Sequence, residues 1–466
     1  MDNDNLRYLP SEKEIDKLSS FLKVRKEPRL DKAVLDYIEY VTSKKWNDES
    51  VLEKIRAAAV VQKDSYWKEG SGKKIQYKSA YSVFAYMAYQ MPGYVQEFSE
   101  LFSEMIKSGL IRKNIRILDA GCGPGTISIA AARVISQLDS MTAVITPVEK
   151  SEANIEAYNK LVLCVSDGKT KFEKPLLKDI TKEIPDGTFD LIVCSNLINE
   201  LTNLDFDQKA DLIMNLSKSL ASDGSLVIIE PADLENSTHL RNLSREVKKR
   251  GLTIYAPCND IRGAACSVSP CWTFRKYEDI VPTKLMFALG GDKEKFRFVN
   301  TDVKFSYSIL RKDGHRKCGY RIPAAAKRAR FSQIKRHVGK RIHVTVSVMS
   351  EDIGDAKNYM FLVCDGTGTV PVYAALPAFH RTPEHEALLT ASYGSVVAID
   401  SVLVRFNEKQ NAYNLLLGKE SFCRMIAGTS SGVKCIDKAK ALREKYGVSK
   451  KKGVIYTKKE RAGRTK

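Results

Sequence analysis

The fold is decided by one stretch of the sequence, Ile117-Leu118-Asp119-Ala120-Gly121-Cys122-Gly123-Pro124-Gly125-Thr126. Apolar residues followed by a carboxylate predict a buried strand that ends near Asp119. Three glycines at alternate positions let the backbone turn sharply and approach a ligand closely, because glycine adopts conformations that other residues avoid. A helix predicted from about Ile127 would point its free N–H groups toward that ligand. The stretch therefore predicts a strand, a ligand-binding loop and a helix in succession.

Length, composition and charge limit the classes to which the chain can belong. Its 466 residues exceed what one hydrophobic core organises, and 43% hydrophobic residues indicate folded domains. A net charge of +19 favours an acidic partner, most often nucleic acid. No stretch is typical of a signal peptide or a membrane span, so we expect a cytoplasmic monomer without a membrane partner.

Alternating strands and helices are predicted between residues 115 and 257, after a helical region that covers residues 1–110. The alternation is typical of a parallel α/β sheet of the Rossmann type. The predicted strands are Ile117–Asp119, Ala143–Glu149, Leu163–Val165, Leu191–Cys194 and Leu226–Glu230. The predicted helices are Ile127–Ser136, Ser151–Asn159 and Gln208–Leu220. Ligands of such sheets bind at the carboxyl ends of the strands.

Polar residues after these strands indicate what the loop binds. Glu149 ends the second strand, where its carboxylate can accept hydrogen bonds from both hydroxyls of a ribose, and Asp179 fits a contact to an adenine edge. The spacing Gly123-Pro124-Gly125 differs from the dinucleotide fingerprint. Together these features resemble class I S-adenosylmethionine-dependent methyltransferases. The resemblance predicts an S-adenosylmethionine site at Asp119, Gly121, Cys122, Gly123, Gly125, Glu149, Asp179 and Asn196.

The segment after the fourth predicted strand gives no catalytic residue. It reads Cys194-Ser195-Asn196-Leu197-Ile198-Asn199-Glu200-Leu201 and lacks the Asn/Asp-Pro-Pro-aromatic turn of enzymes that methylate base amino groups. The Pro-Cys and Thr-Cys pairs of RNA cytosine-C5 enzymes are also missing from this domain. Cys194 closes an apolar strand, and a cysteine in that position is more often a small buried hydrophobe than a nucleophile.

Three cysteines follow the predicted sheet in a loop rich in Pro, Gly and Ser: Cys258, Cys266 and Cys271. Cys318 comes later in the chain and is the predicted fourth ligand, with His315 and Cys364 as alternatives. Four thiolates can complete either a tetrahedral zinc site or an iron–sulfur cluster. The gaps of seven and four residues contain none of the close pairs usual in zinc sites, which favours the cluster.

A more specific resemblance covers roughly residues 60 to 320. The helical Tyr77–Gly93 segment, the glycine loop, the Pro-Cys…Cys…Cys-Trp run and Lys304–Lys312 resemble the methyltransferase-like small-ribosomal-subunit assembly proteins. That resemblance implies a small-subunit ribosomal RNA partner, an S-adenosylmethionine pocket and a [4Fe-4S] cluster. Carried over by position, the cluster would be held by Cys258, Cys266, Cys271 and Cys318.

The C-terminal part adds basic segments around an all-β region. Eight Lys or Arg residues and no acidic residue lie between Gly319 and Arg341, which indicates a phosphate-contacting surface. Five strands predicted between residues 341 and 426, with a helix-capable segment at Pro383–Leu389, resemble an OB-fold. The tail from Lys434 to Lys466 has thirteen Lys or Arg residues and three acidic ones, and we expect it to become ordered only on RNA.

These predictions divide the chain into six parts. They are a helical region (1–110), a Rossmann-like domain (111–257), a cluster-binding segment (258–320), a basic linker (321–340), an OB-like barrel (341–426) and a basic tail (427–466). Two functions are compatible with them: an rRNA-binding assembly factor of the small subunit, or an active rRNA methyltransferase.

Overall fold

A computed structural model of the chain describes residues 6–66, 79–263, 266–291, 297–428, 437–441, 449–451 and 454–456. The chain forms two compact units. The first comprises Met1–Ala232, Asn242–Thr253 and Lys276–His315. The second comprises Asp233–Arg241, Ile254–Arg275 and Arg316–Lys466. The chain therefore leaves the first unit and returns to it twice.

Five helices precede the sheet of the first unit. They are α1 (Glu12–Leu22), α2 (Pro28–Thr42), α3 (Glu49–Tyr66), α4 (Ala80–Tyr89) and α5 (Met91–Lys107). A capping box starts α1, because the Ser11 and Glu14 side chains each bond the other residue's backbone N–H. The predicted helical region is confirmed, although residues 67–78, including Tyr77, lie outside the described residues.

The chain contains a nine-stranded sheet, most of which belongs to the first unit. Its strands are β1 (Asn114–Ala120), β2 (Thr142–Glu149), β3 (Thr170–Phe172), β4 (Leu176–Leu177), β5 (Phe189–Ser195), β6 (Leu220–Pro231), β7 (Thr253–Ala256), β8 (Arg275–Tyr277) and β9 (Val303–Arg311). The helices that accompany it are α6 (Thr126–Ser136), α7 (Glu152–Leu161), α8 (Phe206–Lys218), α9 (Leu234–Lys249) and α10 (Lys284–Gly290). The strand order is β3-β2-β1-β5-β6-β9-β7, and β1 is parallel to both of its neighbours. This arrangement confirms the Rossmann-like α/β prediction.

Two details of the sheet differ from the predictions. The predicted strand at Leu163–Val165 is wrong, because Val162–Val165 continue α7 as a turn of 3-10 helix and the edge strand is β3 instead. The sheet also extends beyond residue 257: β9 pairs antiparallel with β6, with Leu226 opposite Leu310 and Pro231 opposite Phe305. The end of the sheet therefore does not coincide with the predicted boundary of the Rossmann-like domain.

The second unit contains a closed five-stranded barrel. Its strands are β10 (Arg341–Val348), β11 (Asn358–Cys364), β12 (Val372–Pro377), β13 (Val396–Asn407) and β14 (Ala412–Leu416), with α11 (Glu386–Leu389) between β12 and β13. The strand order is β10-β11-β12-β14-β13, and β13 pairs back with β10 to close the barrel. The pairing of β12 with β14 is parallel. This topology confirms the OB-like prediction, and a sixth strand, β15 (Phe422–Ala427), adds to β13.

Alternating side chains fill the barrel. Val344, Val346 and Val348 of β10 are fully buried and belong to one core with Leu376 and Leu415. Because successive side chains of a strand point to opposite faces, every second residue faces the inside of the barrel. The alternation of apolar and polar residues in the sequence therefore specifies this core.

The tail is described only in part. A hairpin of β16 (Ser449–Lys451) and β17 (Val454–Tyr456) is present, and most of the predicted basic tail lies outside the described residues. Across the described residues, every helix is too short or too polar to cross a lipid bilayer.

Candidate functional site

The glycine loop between β1 and α6 lies at the carboxyl edge of the first sheet. Gly121 has a φ of 75° and Gly125 a φ of 100°, both in the left-handed region that favours glycine. The N–H of Gly121 donates to the Val148 carbonyl at 2.9 Å, which ties the loop to the end of β2. A Cβ atom at Gly125 would lie 3.2 Å from Cδ2 of Tyr158, so glycine allows α6 to begin this close to α7.

An open cleft of about 720 Å³ lies beside this loop. Five of the predicted cofactor residues line it: Gly121, Gly123, Glu149, Asp179 and Asn196. The other residues that line it are Tyr86, Pro124, Val148, Lys150, Asn154, Lys178, Ile180, Ser195, Leu197, Glu200 and Leu201. The cleft therefore collects the ends of β1, β2 and β5, where ligands of parallel sheets bind.

Asp119 and Cys122 belong to the buried support of the loop, not to the lining of the cleft. Asp119 is 1% exposed, and one of its carboxylate oxygens accepts hydrogen bonds from the Ser128 N–H (3.1 Å) and hydroxyl (2.7 Å). Burial raises the pKa of Asp119 to about 7. Burial likewise raises the pKa of the Cys122 thiol well above its ordinary value. Asp119 therefore joins the end of β1 to the first turn of α6.

Hydrogen bonds from nearby residues fix two of the carboxylates that line the cleft, those of Glu149 and Asp179. Glu149 accepts hydrogen bonds from the N–H groups of Gly123 (3.0 Å) and Ser151 (2.8 Å). Asp179 accepts from the Thr181 N–H (3.1 Å) and hydroxyl (2.7 Å). Burial alone would raise the pKa of Asp179, but the hydrogen bonds from Thr181 and the charges of Lys150 and Lys182 together outweigh it, and the pKa is lowered. Both groups present oriented acceptors to a ligand that carries hydroxyl or amino donors.

A buried carboxyl group at the end of β6 holds the segment that follows β5. Glu230 is 3% exposed and accepts hydrogen bonds from the N–H groups of Ile198 (3.0 Å) and Asn199 (3.2 Å). Burial raises the pKa of Glu230 to about 8, against the opposing effect of these two bonds. The sequence did not single out Glu230, because it looks like the last residue of an ordinary apolar strand.

Two amide side chains of the cleft have unsatisfied oxygens. The Oδ1 atoms of Asn154 and Asn196 are buried, and neither accepts a hydrogen bond from the described residues. Asn196 also has a φ of 51°, a left-handed conformation that costs energy in most residues other than glycine. A buried acceptor without a donor costs roughly 1–3 kcal/mol, so a ligand that donates N–H or O–H groups here would remove that cost.

Tyr86 and Glu200 also line the cleft, and Tyr86 reaches it from a helix that precedes the sheet. Tyr86 comes from α4, and its hydroxyl lies 3.0 Å from the Thr126 hydroxyl at the start of α6. The ring of Tyr86 also packs edge-on against Tyr94 of α5, with ring centroids 6.2 Å apart. Cys194 is fully buried, and burial raises the pKa of its thiol, which agrees with the structural interpretation of that cysteine.

The predicted metal ligands all belong to the second unit. Cys266 and Cys364 share a side-chain hydrogen bond, which together with burial and the sulfur of Cys271 raises the pKa of Cys364 well above its ordinary value. Cys318 is 7% exposed and packs in an apolar cluster with Ile261. Within the part of the chain that the structure describes, no three Cys, His, Asp or Glu side chains are arranged to hold a metal ion.

The basic segment before the barrel divides into two groups. Arg321 lies 3.7 Å from Asp260 and Arg328 forms an ion pair with Asp400, so these two are partly neutralised. Five others are exposed, and the structure gives them no acidic partner among the described residues. They form what we call the basic surface: Lys327, Arg330, Lys335, Arg336 and Lys340.

Comparisons with known proteins agree with the fold of the first unit. Residues 111–288 match a family described as a methyltransferase domain, and residues 332–426 match the C-terminal domain of a family described as a domain of unknown function, DUF8157. No curated protein compared with the chain is significantly similar to it.

Solved structures similar to this chain include several methyltransferases. The plantazolicin methyltransferase BpumL, solved with S-adenosylhomocysteine, is 13% identical over 56% of this chain and 98% of its own, with a TM-score of 0.30. An S-adenosylmethionine-dependent methyltransferase from Leishmania major is 13% identical over 66% of this chain and 97% of its own, with a TM-score of 0.31. The N-methyltransferase NodS from Bradyrhizobium japonicum is 12% identical over 55% and 97%, with a TM-score of 0.28.

The sheet, the glycine loop and the family match together define the class of the first unit. It has the fold of class I S-adenosylmethionine-dependent methyltransferases. In this particular protein such a core is joined to a cysteine-containing loop and a closed OB-like barrel in the same chain.

Proposed function

We propose that this protein is a maturation factor of the small ribosomal subunit that binds ribosomal RNA through its second unit. In this proposal the first unit binds S-adenosylmethionine, and the cysteines hold a [4Fe-4S] cluster or a zinc ion. The observation that carries the proposal is an exposed, unbalanced basic surface at the entry to an OB-like barrel, in a chain that also has a methyltransferase fold.

The cleft supports S-adenosylmethionine as the ligand of the first unit. Its ribose hydroxyls and amino groups are donors, and the cleft offers the carboxylates of Glu149 and Asp179 and the unsatisfied amide oxygens of Asn154 and Asn196. S-adenosylmethionine supplies an activated methyl group when bound. The residues of this chain would orient it from the glycine loop, and Tyr86 would cover one side.

The aromatic residues near the basic surface support single-stranded RNA as the partner. The N–H of Gly339 donates to the Val404 carbonyl at 2.9 Å, which pins the end of the basic surface to β13. Two residues further along β13, Phe406 is 41% exposed and its ring lies 4.9 Å from that of Tyr413. Basic side chains beside an exposed aromatic ring can bind phosphates while a base stacks on the ring.

The usual ligand face of an OB-fold is less available in this protein. Oligonucleotides bind OB-folds across the second and third strands, which correspond here to β11 and β12. The cysteine loop lies against the turn between these strands, where Ser269 N–H donates to the Thr369 carbonyl at 3.1 Å. We therefore place the RNA on the basic surface and on β13.

Removing charge from the basic surface tests this proposal. We expect the triple substitution Lys335→Ala, Arg336→Ala and Lys340→Ala to weaken binding of small-subunit rRNA. The slope of log affinity against log salt should fall by about two, since each single-strand phosphate contact contributes about 0.7. The matched control removes the same charge from α1 and its C-cap, by alanine substitution of the exposed Lys13, Lys17 and Lys23.

Three results would contradict the proposal: equal effects of the two triple substitutions, a flat salt response of the unsubstituted protein, or a preference for transfer RNA. Crosslinking in cells followed by sequencing of the bound RNA identifies the RNA class independently.

A second function, active rRNA methylation, is favoured by one observation. Glu200 lines the same cleft as Asn196, so its carboxylate could take a proton from an acceptor group bound there. Transfer of labelled methyl groups to small-subunit rRNA, lost in Glu200→Gln, would establish this function in place of a non-catalytic one.

A further inference from the structure

One buried side chain of the cysteine loop, residues 258–271, reaches the segment that carries the basic surface. Arg262 forms an ion pair with Asp365 of the barrel, with Nε 3.0 Å from Oδ2, and the two side chains are 5% and 0% exposed. The same guanidinium donates to the carbonyl oxygens of Arg328 (3.2 Å) and Ala329 (2.9 Å). All of these residues belong to the second unit. Arg262 therefore joins the cysteine loop, a turn of the barrel and the start of the basic segment.

Asp365 fixes the residues that follow. Its Oδ2 accepts a hydrogen bond from the Phe331 N–H at 3.0 Å. Its Oδ1 accepts a hydrogen bond from the Thr367 hydroxyl (2.8 Å), whose oxygen in turn accepts one from the Ser332 N–H at 3.1 Å. Because the ion pair is buried, these hydrogen bonds form in surroundings of low dielectric, where they are stronger than in water. The ion pair thus sets the backbone position of residues 328–332.

This anchoring concerns two of the five residues of the basic surface. Lys327 directly precedes the anchored residues and Arg330 lies within them, and both side chains are exposed. The other three members, Lys335, Arg336 and Lys340, come later in the segment. The basic surface therefore has an early part that depends on the ion pair and a later part beyond its reach.

A separate set of contacts fixes the later part of the basic surface. Phe331 and Ile334 are buried in the barrel core and hold the turn of 3-10 helix that contains them. The N–H of Gly339 donates to the Val404 carbonyl at 2.9 Å. These contacts do not involve Arg262, so the later part should keep its position when Arg262 is replaced.

We propose that Arg262 is a positioning residue for RNA, which holds Lys327 and Arg330 where they contact phosphates of the strand that the basic surface binds. This inference rests on the RNA partner of the proposed function and adds a residue that does not touch RNA. With a side chain only 5% exposed, Arg262 cannot itself reach a phosphate, so its effect on binding acts through the segment. A fixed position strengthens binding because groups that are already in place lose less conformational entropy.

A cycle of substitutions measures the coupling in the full-length protein. The probe is single-stranded oligouridine of about 20 nucleotides, which is longer than the site of an OB-fold. Its affinity is measured from about 0.1 M to about 1 M salt for Arg262→Met, for Lys327→Ala with Arg330→Ala, and for all three together.

We expect Arg262→Met and the double substitution each to lower the slope of log affinity against log salt by about 1.4, since each of two phosphate contacts contributes about 0.7. That difference corresponds to binding about 25-fold weaker at 0.1 M salt than at 1 M, relative to the unsubstituted protein. With all three substitutions the slope should fall no further, because Arg262 acts through the same two side chains.

Two controls separate positioning from a loss of stability. Leu376→Ala removes a fully buried side chain from β12, so it destabilises the barrel with the basic surface and Arg262 unaltered. We expect it to keep the salt slope of the unsubstituted protein. Alanine substitution of Lys335, Arg336 and Lys340 should weaken binding by the same factor with Arg262 present or replaced.

The outcomes distinguish this inference from the proposed function. Losses that add when all three substitutions are combined would overturn the positioning role alone. An equal fall of the slope in Leu376→Ala would do the same. An unsubstituted protein that does not bind oligouridine would overturn the RNA partner, and the positioning role with it.

Hydrogen exchange tests the anchoring without RNA, and in the unsubstituted protein it does so without a substitution that could disturb folding. We expect the N–H groups of Phe331 and Ser332 to be protected like those of the barrel strands. In Arg262→Met they should exchange about 10- to 100-fold faster, since their hydrogen bonds depend on the ion pair, whereas the Gly339 N–H should not change. Unprotected Phe331 and Ser332 in the unsubstituted protein would overturn the anchoring, whatever the affinity for RNA.

Discussion

The ion pair between Arg262 and Asp365 should be one of the most important contacts in the second unit, and Arg262→Met tests it. The two side chains are 5% and 0% exposed, so neither charge is compensated by water. Removing one partner of a buried pair costs roughly 3–5 kcal/mol, because the remaining charge stays buried. Asp365 keeps hydrogen bonds from the N–H groups of Phe331 (3.0 Å) and Thr367 (2.9 Å), which places the expected loss at the lower end.

We therefore expect Arg262→Met to lower the free energy of unfolding of the second unit by about 3 kcal/mol. For a unit of this size that corresponds to a decrease in melting temperature of roughly 6–12 °C. Urea unfolding followed by Trp272 fluorescence measures the loss, with the other tryptophans, Trp46 and Trp67, replaced by Phe. Exposed Arg405 is the control, and Arg405→Met should change stability by no more than about 0.5 kcal/mol.

A double-substitution cycle separates the ion pair from other effects of Arg262. Its guanidinium also donates to the Ala329 carbonyl at 2.9 Å, and that bond is lost as well in Arg262→Met. If the ion pair dominates, Arg262→Met should cost much less when Asp365 is already Asn. A loss below about 1 kcal/mol in the first experiment, or an equal loss in both backgrounds, would show that the buried charge is compensated elsewhere.

Two further predictions concern the first unit. Glu149→Gln should weaken S-adenosylmethionine binding by about 10- to 100-fold in calorimetry, because a hydrogen bond to a charged group contributes roughly 1.5–3 kcal/mol. The control is Glu152→Gln, on the exposed first turn of α7. Equal affinities of the two variants would exclude Glu149 from the site. The pKa of Asp119 is raised to about 7 and that of Glu230 to about 8, so the folded state keeps protons that the unfolded state has lost. The free energy of unfolding should accordingly decrease as the pH rises from about 4 to about 8, and Glu230→Gln should reduce that decrease in urea unfolding. A stability that rises across this range would contradict the assignment.

Much of the fold was predictable because it depends on local patterns. Alternation of apolar residues specified β10, and the glycine loop specified the first βα unit of the sheet. The prediction failed at Val162–Val165, whose apolar run is also typical of a strand. Its apolar side chains continue the packing of α7, and Val162 contacts the Cβ position of Gly125 at 3.3 Å, so a tertiary contact decided the conformation.

The site was predictable only where it depends on strand ends. Glu149 is the last residue of β2 and Asn196 directly follows β5, and the rule for parallel sheets placed both correctly in the cleft. Tyr86 reaches the cleft from a helix outside the sheet, and no local pattern shows this. The proximity of Cys364 to Cys266 depends on how a loop packs on a barrel, and sequence spacing contains no information about that.

The pairing of β9 with β6 has a consequence for synthesis and for dissection of the protein. The cysteine loop is synthesised before β9. During translation the edge of β6 that pairs with β9 therefore has no partner until residue 311 has left the ribosome. An unpaired edge next to Ile228 and Ile229, which are buried in the finished sheet, is a site for aggregation. A fragment that stops at residue 257 would keep that edge permanently. Soluble expression of the first unit should therefore require the chain through Arg311, with the cysteine loop inside it.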